Sequence, residues 1–236
     1  MSRFPESLST RNFPDGTIIL YREDLQKRVP DEIPINEVWI RQDYTPPGFD
    51  IEKSDMVIDI GAHIGAFTIY SAKRAGGGFV YSYEPSPINF AILQRNVAIN
   101  SLTNVHLCQM AIASDTTSRQ LTFDETNDAG ASFFSTGGVT ELVHCIRLED
   151  IFEANAIARC GFLKMDCEGA EYEILFSTPP DIFKRIRRIA LEYHVRSQIP
   201  NCDPNALIDF LKGHGYVVVK NKPKTGLGIL CVERKF

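Results

Sequence analysis

The chain has 236 residues, 44% of them hydrophobic and 23% charged, with a net charge of −5 and six cysteines. That length supports one sizeable core and one catalytic domain, and the acidic balance argues against a broad basic surface for nucleic acid or an anionic membrane. The cysteines show neither a C-x-x-C pair nor companion histidines at zinc-finger spacing, and no apolar run approaches the ~18 residues of a membrane span, so a reduced, cytoplasmic protein is expected.

Residues 1–50 come first and do not share the pattern that follows. Phe13–Tyr21 reads as a turn and strand, Asn36–Tyr44 as a second short element, and the segment as an N-terminal cap or lid ahead of a domain spanning 51–236. Met56–Ile60 then reads as a buried strand. Gly61 and Gly65 permit a tight turn and close ligand approach, and Phe67–Ala75 carries a helical apolar pattern that Gly76–Gly78 ends. Strand Phe79–Glu84, helix Pro87–Asn100 and strand Val105–Met110 continue the alternation. Asp124–Gly138 is rich in Thr, Ser, Gly, Asn and Asp, which predicts an exposed loop or small hairpin over a site.

Helix Leu148–Ala158, strand Gly161–Asp166, helix Ala170–Phe176 and strand Arg188–Glu192 follow. The chain then offers helix Pro204–His214 and two β-rich runs, Tyr216–Lys220 and Ile229–Glu233, as a hairpin. The sum is an α/β fold: a doubly wound, mostly parallel seven-stranded Rossmann-like sheet with a C-terminal antiparallel hairpin and an N-terminal cap. Ligands of such sheets sit at the carboxyl ends of strands, which draws attention to Asp59, Glu84, Met110-Ala111, Asp166 and Glu192–His194. Glu84 lies 19 positions after Gly65 (84 − 65), close to the spacing at which an acidic side chain accepts hydrogen bonds from a ribose diol. A nucleoside-containing cofactor is the leading reading. A dinucleotide would call for G-x-G-x-x-G, whereas the chain has Gly61-x-x-x-Gly65, which disfavours an NAD-dependent oxidoreductase.

Four blocks carry a family resemblance: Val57-Ile-Asp-Ile-Gly-Ala-His-Ile-Gly-Ala-Phe-Thr68, Tyr83-Glu-Pro-Ser86, Ala111-Ile-Ala-Ser-Asp115 and Leu163-Lys-Met-Asp-Cys-Glu-Gly-Ala-Glu171. In order and spacing they resemble the FkbM family of S-adenosylmethionine-dependent methyltransferases over roughly residues 55–195, and the last block is similar to that family's I-K-I-D-V-E-G-A-E. His63 stands where the family usually has Asn. The resemblance implies S-adenosyl-L-methionine as cofactor. Asp59 is then assigned to the cofactor's amino group, or else caps the following helix, while Gly61, Ala62, Gly65, Phe67 and Thr68 shape the turn and helix start. Glu84 and Pro85 take the ribose side, Ala111 to Ser114 border the adenine, and Asp166 faces the methyl donor.

Period-two alternation puts Lys164, Asp166 and Glu168 on one side of a strand end. Either they face the donor and acceptor, or Lys164 joins Asp166, Glu168 or Glu192 in an internal salt-bridge network. His194 is the candidate general base because its unperturbed pKa lies near neutrality, with Asp166 or Glu168 as alternatives. A carboxylate acceptor would need no base, and Lys164, His194 and Arg196 would orient it. Asp166, Glu168 and Glu192 offer oxygen ligands for a divalent ion, but their spacing is not diagnostic and no metal is assigned. Trp39, Tyr44 and Gly130–Phe134 are candidate walls of an acceptor pocket or core packing. The activity that the resemblance implies is O-methylation of a small-molecule hydroxyl, on a sugar or natural-product intermediate. The alternative is carboxyl methylation of a small acid, and a non-catalytic cofactor-binding scaffold is the rival outside enzymes. A homodimer is expected if residues 1–50 pack across a partner.

Overall fold

The chain begins with a short antiparallel hairpin, β1 (Ser9–Asn12) and β2 (Ile18–Tyr21), followed by helix α1 (Glu32–Trp39). The structure is a computed structural model that describes residues 8–23, 30–124, 127–134, 138–195, 199 and 201–235. Strand and helix then alternate through β3 (Met56–Ile60), α2 (Ala66–Arg74), β4 (Phe79–Tyr83), α3 (Pro87–Ile99) and β5 (Val105–Cys108). Five short strands follow: β6 (Ala111–Ile112), β7 (Arg119–Asp124), β8 (Asn127–Ser132), β9 (Val139–Val143) and β10 (Cys145–Ile146). Helix α4 (Leu148–Ala154), β11 (Cys160–Met165), α5 (Glu171–Ser177), α6 (Pro180–Phe183) and β12 (Ile186–His194) restore the alternation. Helix α7 (Pro204–Gly213) and the hairpin β13 (Tyr216–Lys224) and β14 (Leu227–Arg234) complete it.

Seven strands form the main sheet in the order β13-β14-β12-β11-β3-β4-β5. The five from β12 to β5 are parallel, and β14 runs antiparallel between β12 and β13. This is the predicted doubly wound sheet with its terminal hairpin. The chain leaves β3 toward β4 on one side and returns through β11 on the other, so the carboxyl ends of β3 and β11 flank the topological switch point. No helix among the described residues is long and apolar enough to cross a membrane.

Both faces of the sheet are covered, which is why its strands read as apolar runs. On one face Ile58, Leu163, Met165 and Leu191 pack with Phe152 of α4, Leu175 of α5 and Leu211 of α7. On the other, Val57, Phe162 and Ala190 pack with Phe67 and Ile69 of α2 and with Ile19, Ile35, Tyr44 and Phe49 from the N-terminal segment. Trp39 belongs to this core: its ring stacks on Phe13 at 4.4 Å and its indole N–H donates to the Ala66 carbonyl at 3.1 Å. One edge of β2 is closed by side chains of α3 and its C-cap. Asn96 and Asn100 each exchange two hydrogen bonds with its backbone, at Leu20 and Ile18 respectively, replacing a missing strand partner.

Several boundaries differ from expectation for local reasons. The fourth helix stops at Ala154, because Ala156 has a left-handed backbone at φ +50°. The element read as Asn36–Tyr44 is helix α1, which starts earlier and carries Pro34 in its first turn, where a proline's missing N–H costs nothing. Strand β12 extends through Tyr193 and His194 because all seven residues Arg188–His194 find partners on β14. The polar stretch after Asp124 contributes β8 to a three-stranded sheet, β8-β7-β9, so the hairpin alternative holds.

Asp43 fastens the N-terminal segment to the hairpin. Its carboxylate accepts from Arg41 at 2.9 Å and lies 3.3 Å from Lys220 and 3.2 Å from Lys222, and the Lys220 ammonium donates to its carbonyl at 2.7 Å. Burial opposes ionisation, but the Arg41 and lysine hydrogen bonds prevail and lower the carboxyl to about 2. A depressed carboxyl contributes stability above its unfolded value that is lost as the pH falls toward 2. Asp43→Asn is expected to cost about 1–2 kcal/mol at pH 7 and progressively less as the pH falls through about 2, readable as the difference between urea midpoints.

Candidate active site

The loop after β3 is set by backbone docking. Gly61 and Ala62 both donate to the Tyr83 carbonyl at 3.0 Å, and Gly61 has φ +72°. A Cβ at Gly61 would collide with the Asp166 carbonyl, so only glycine lets the loop lie against the end of β11. Gly65, at φ +93°, opens α2 where a side chain would meet Leu93. Ala62 is buried against Leu93 and Val97. Phe67 and Thr68 turn inward: Phe67 packs between Tyr44 and Phe162, and Thr68 donates to Asp59. Both side chains are buried.

Asp59 and Lys164 form the buried floor. Their strands are adjacent and in register, and Asp59 Oδ1 lies 3.3 Å from Lys164 Nζ. Thr68 donates to the other oxygen at 2.7 Å, and Lys164 donates to the Gly61 carbonyl at 2.8 Å. Asp59 is fully buried, so its closest role is to anchor Lys164 beneath the loop. The network expected for Lys164 exists with a different partner, since register brings Asp59 opposite it.

Glu84 ends β4 beside the loop. Its carboxylate accepts from the His63 N–H at 2.7 Å and the Ser86 N–H at 2.9 Å. Burial pushes its pKa up to about 6, against the pull of those two amides. Pro85 follows it, half-buried. Ser86 caps α3, with Pro87 at the first helical position. His63, at φ +53°, leans toward the N-terminal segment, where Arg22 chelates Asp31 through two nitrogens at 2.9 and 2.8 Å and donates to Asn89 at 2.8 Å. The imidazole Nε2 lies 3.2 Å from Arg22. Burial lowers His63 to about 4 despite Asp31, so the ring is neutral. Ala111 is buried with Ala113 and Val143, and Ser114 accepts from Arg119 at 3.0 Å.

The turn after β11 gathers the charged groups. Glu171 accepts from the Cys167 N–H at 2.8 Å and the Gly169 N–H at 3.0 Å, folding back to satisfy the turn. Glu168 takes a left-handed backbone at φ +53°, a strain typical of functional turns, and its carbonyl accepts from Ser132 of β8 at 2.8 Å. Asp166 accepts from the Tyr44 hydroxyl at 3.0 Å. His194, almost fully buried, lies 3.4 Å from Glu171, 3.5 Å from Glu168 and 3.6 Å from Glu192. Burial opposes its charge, but Glu171, then Glu168 and Asp166, raise its pKa to about 10. The near-neutral pKa that favoured His194 as a base does not hold here; the ring is a cation among carboxylates. Burial and Asp166 raise the Glu192 carboxyl.

The structure thus brings Lys164, Asp166, Glu168 and His194 together with the glycine loop. Tyr44 enters with them: its hydroxyl binds Asp166 and its ring lies 5.6 Å from Lys164 Nζ. Glu171, Arg22 and Asp31 were not anticipated. Glu171 sits within the quoted block, and its place three residues after Glu168 was the available signal; nothing local marks Arg22 and Asp31. Phe133 and Phe134 are half-buried against the first core face. Arg196 lies outside the described residues.

A parallel sheet of this order, with a glycine loop after β3 and a carboxylate ending β4, is the Rossmann-like architecture of nucleoside-cofactor methyltransferases. Residues 59–218 match the methyltransferase FkbM domain, and the chain belongs to that family; it is an S-adenosylmethionine-dependent methyltransferase. It is 26% identical over 216 residues to the 31-O-demethyl-FK506 methyltransferase FkbM of Streptomyces tacrolimicus, covering 78% of this chain and 80% of that one. It is 23% identical over 157 residues to Methyltransferase 1 of Beauveria bassiana, covering 58% of this chain and 63% of that one. In fold it is similar to a methyltransferase FkbM from Methylobacillus flagellatus, with a TM-score of 0.57 and 18% identity over 84% of this chain and 48% of that structure. The chain therefore spans about half the length of that structure.

Proposed function

We propose that the enzyme methylates a hydroxyl oxygen of a neutral small molecule, such as a sugar or natural-product intermediate. The observation that carries this reading is the gathering of Asp166, Glu168 and Glu192 around His194 beside the glycine loop. A carboxylate acceptor would meet like charge there, which disfavours carboxyl methylation. An alcohol meets hydrogen-bond acceptors for its O–H and a carboxylate, Glu168 or Asp166, to receive its proton. The name of the Streptomyces relative points the same way, to an oxygen acceptor.

The residues fit the cofactor. Gly61 keeps the loop free of a side chain, and Glu84 ends the neighbouring strand with a carboxylate. S-adenosylmethionine supplies an electrophilic methyl on a sulfonium. Around it Gly61, Ala62, Gly65 and Pro85 shape the slot, Glu84 takes the ribose hydroxyls, Ala111 and Ser114 border the adenine side, and Asp166 faces the sulfonium. Asp59, Phe67 and Thr68 act through the loop they support. His194 offsets the carboxylates, and Tyr44 joins the described part of the N-terminal segment to the site as a cap. Six free thiols agree with a cytoplasmic setting.

The test is methyl transfer from labelled S-adenosylmethionine to matched panels of neutral glycosides or alcohols and small carboxylic acids. Label in ether products supports the proposal. Label confined to esters contradicts it and restores carboxyl methylation.

A further inference from the structure

We propose that Asp166, Glu192 and His194 form a divalent-cation site that receives the acceptor oxygen. The inference rests on the methyltransferase reading of this pocket and adds an ion to it. Asp166 follows β11, while Glu192 and His194 are two positions apart on the neighbouring parallel strand, so their side chains share a face and meet Asp166 across the strand pair. One ligand atom from each lies within 4.8 Å of the others. In an octahedral site with bonds of about 2.1 Å, ligand atoms stand about 3.0 Å apart in cis and about 4.2 Å in trans. The observed set needs a contraction of a few tenths of an ångström to about 2 Å, within the reach of side-chain rotation.

The second observation concerns His194 itself. It is 1% exposed, and its Nδ1 makes no hydrogen bond. Glu171 stands 3.4 Å from Nδ1, while Nε2 faces Glu168 and Glu192 at 3.5 and 3.6 Å, ion-pair contacts longer than a well-formed hydrogen bond. A carboxylate behind one ring nitrogen, with the other nitrogen turned into a cluster of oxygens, is the arrangement that orients metal-bound histidines. Glu171 is itself fixed by the Cys167 and Gly169 amides, and Tyr44 fixes Asp166. Asp166 and His194 thus each have a neighbour outside the set, Tyr44 and Glu171.

Two carboxylates and one imidazole suit magnesium, manganese, iron(II) or zinc. A cation there displaces the proton that His194 otherwise holds among the carboxylates, takes over their neutralisation, and acidifies a hydroxyl bound to it. The O–H bond then breaks with its electron pair left on oxygen, and the proton passes to the Glu168 carboxylate. Acceptor oxygen and metal share one place, beside the loop that holds the methyl donor.

Manganese(II) alone is the probe. It is titrated into chelator-stripped protein, with and without S-adenosylhomocysteine, and free ion is followed by electron paramagnetic resonance. One bound ion per chain, with nitrogen-14 coupling from an imidazole in the pulsed spectrum, is the expected result, and Glu192→Gln and His194→Gln should each weaken binding at least tenfold. Absence of saturable binding, absence of nitrogen coupling, or unchanged binding in both variants overturns the proposal. The spectrum of the unsubstituted protein decides the question if a variant fails to fold. Calorimetric binding of S-adenosylhomocysteine to the metal-free sample keeps the two readings apart: cofactor binding without manganese binding sinks only the metal site, and loss of cofactor binding sinks the reading beneath it.

Discussion

Replacing Lys164 by methionine is expected to destabilise the fold by about 3–5 kcal/mol, the usual cost of stripping one partner from a buried ion pair. Asp59 is fully buried and Lys164 nearly so. Without the ammonium, the Asp59 carboxylate keeps one hydrogen bond, from Thr68, and has no cation within 4 Å among the described residues. The Gly61 carbonyl also loses its 2.8 Å donor, so the cofactor loop loosens with the core. Burial works to lower the Lys164 pKa and Asp59 outweighs it, so the pKa is raised. The contribution is therefore fully present at neutral pH and is lost only as the pH rises through the raised lysine value. Denaturant midpoints measure the loss. The pair Asp59→Asn with Lys164→Met should recover part of it, because no charge is then left buried. By contrast, Lys184→Met at the exposed pair with Asp181 should change stability by less than about 1 kcal/mol. Equal effects at the two lysines would refute the assignment of the buried pair.

Glu84→Ala is expected to weaken S-adenosylhomocysteine binding by about 100-fold. Two hydrogen bonds from a ribose diol to an ionised carboxylate contribute about 1.5 kcal/mol each, and a factor of ten corresponds to about 1.4 kcal/mol. The carboxylate accepts from the His63 and Ser86 amides and from the Asn89 side chain, and its two oxygens together offer about four lone-pair sites, so a further bond can be taken. Its pKa of about 6 adds a signature: affinity is flat above pH 7 and falls as the pH drops through 6, where protonation removes the acceptor. In Glu84→Ala that fall disappears. Stability of the unliganded protein runs the opposite way. A carboxyl whose folded value is raised contributes stability below its unfolded value, near 4.5, and loses it as the pH rises through about 6. Calorimetry between pH 5 and 8 on both proteins reads the affinity change, and an unaltered profile in the variant would remove Glu84 from the site.

The sheet was legible because its strands are buried on both faces and its helices carry their own punctuation. Ser86 followed by Pro87, and Asp203 followed by Pro204, mark helix starts that the structure reproduces as caps. The three-stranded sheet was harder to read. Asn127–Ser132 contains alanine as its one apolar residue type, so no periodic hydrophobic signal announces β8. The site divided in the same way. Gly61, Glu84 and Asp166 were accessible because a strand's carboxyl end fixes where its next residues go. The partner of Lys164 was not, since pairing depends on the register between β3 and β11, which lie about a hundred residues apart in sequence. The charge of His194 was missed for a related reason: its neighbours Glu168 and Glu171 come from another element, and a single histidine in a strand says nothing about them. Tyr44 and Arg22 reach the site across the N-terminal segment, whose packing no local pattern specifies.

The methyl donor is expected across the carboxyl ends of β3 and β4, with its reacting end toward the Asp166 cluster. A crystal structure of the protein soaked with S-adenosylhomocysteine tests it most directly. Ribose hydroxyls are expected about 3 Å from the Glu84 carboxylate, with the sulfur on the side of Asp166 and Tyr44. A nucleoside bound elsewhere, or bound here with its ribose turned away from Glu84 and its sulfur away from Asp166, would contradict it.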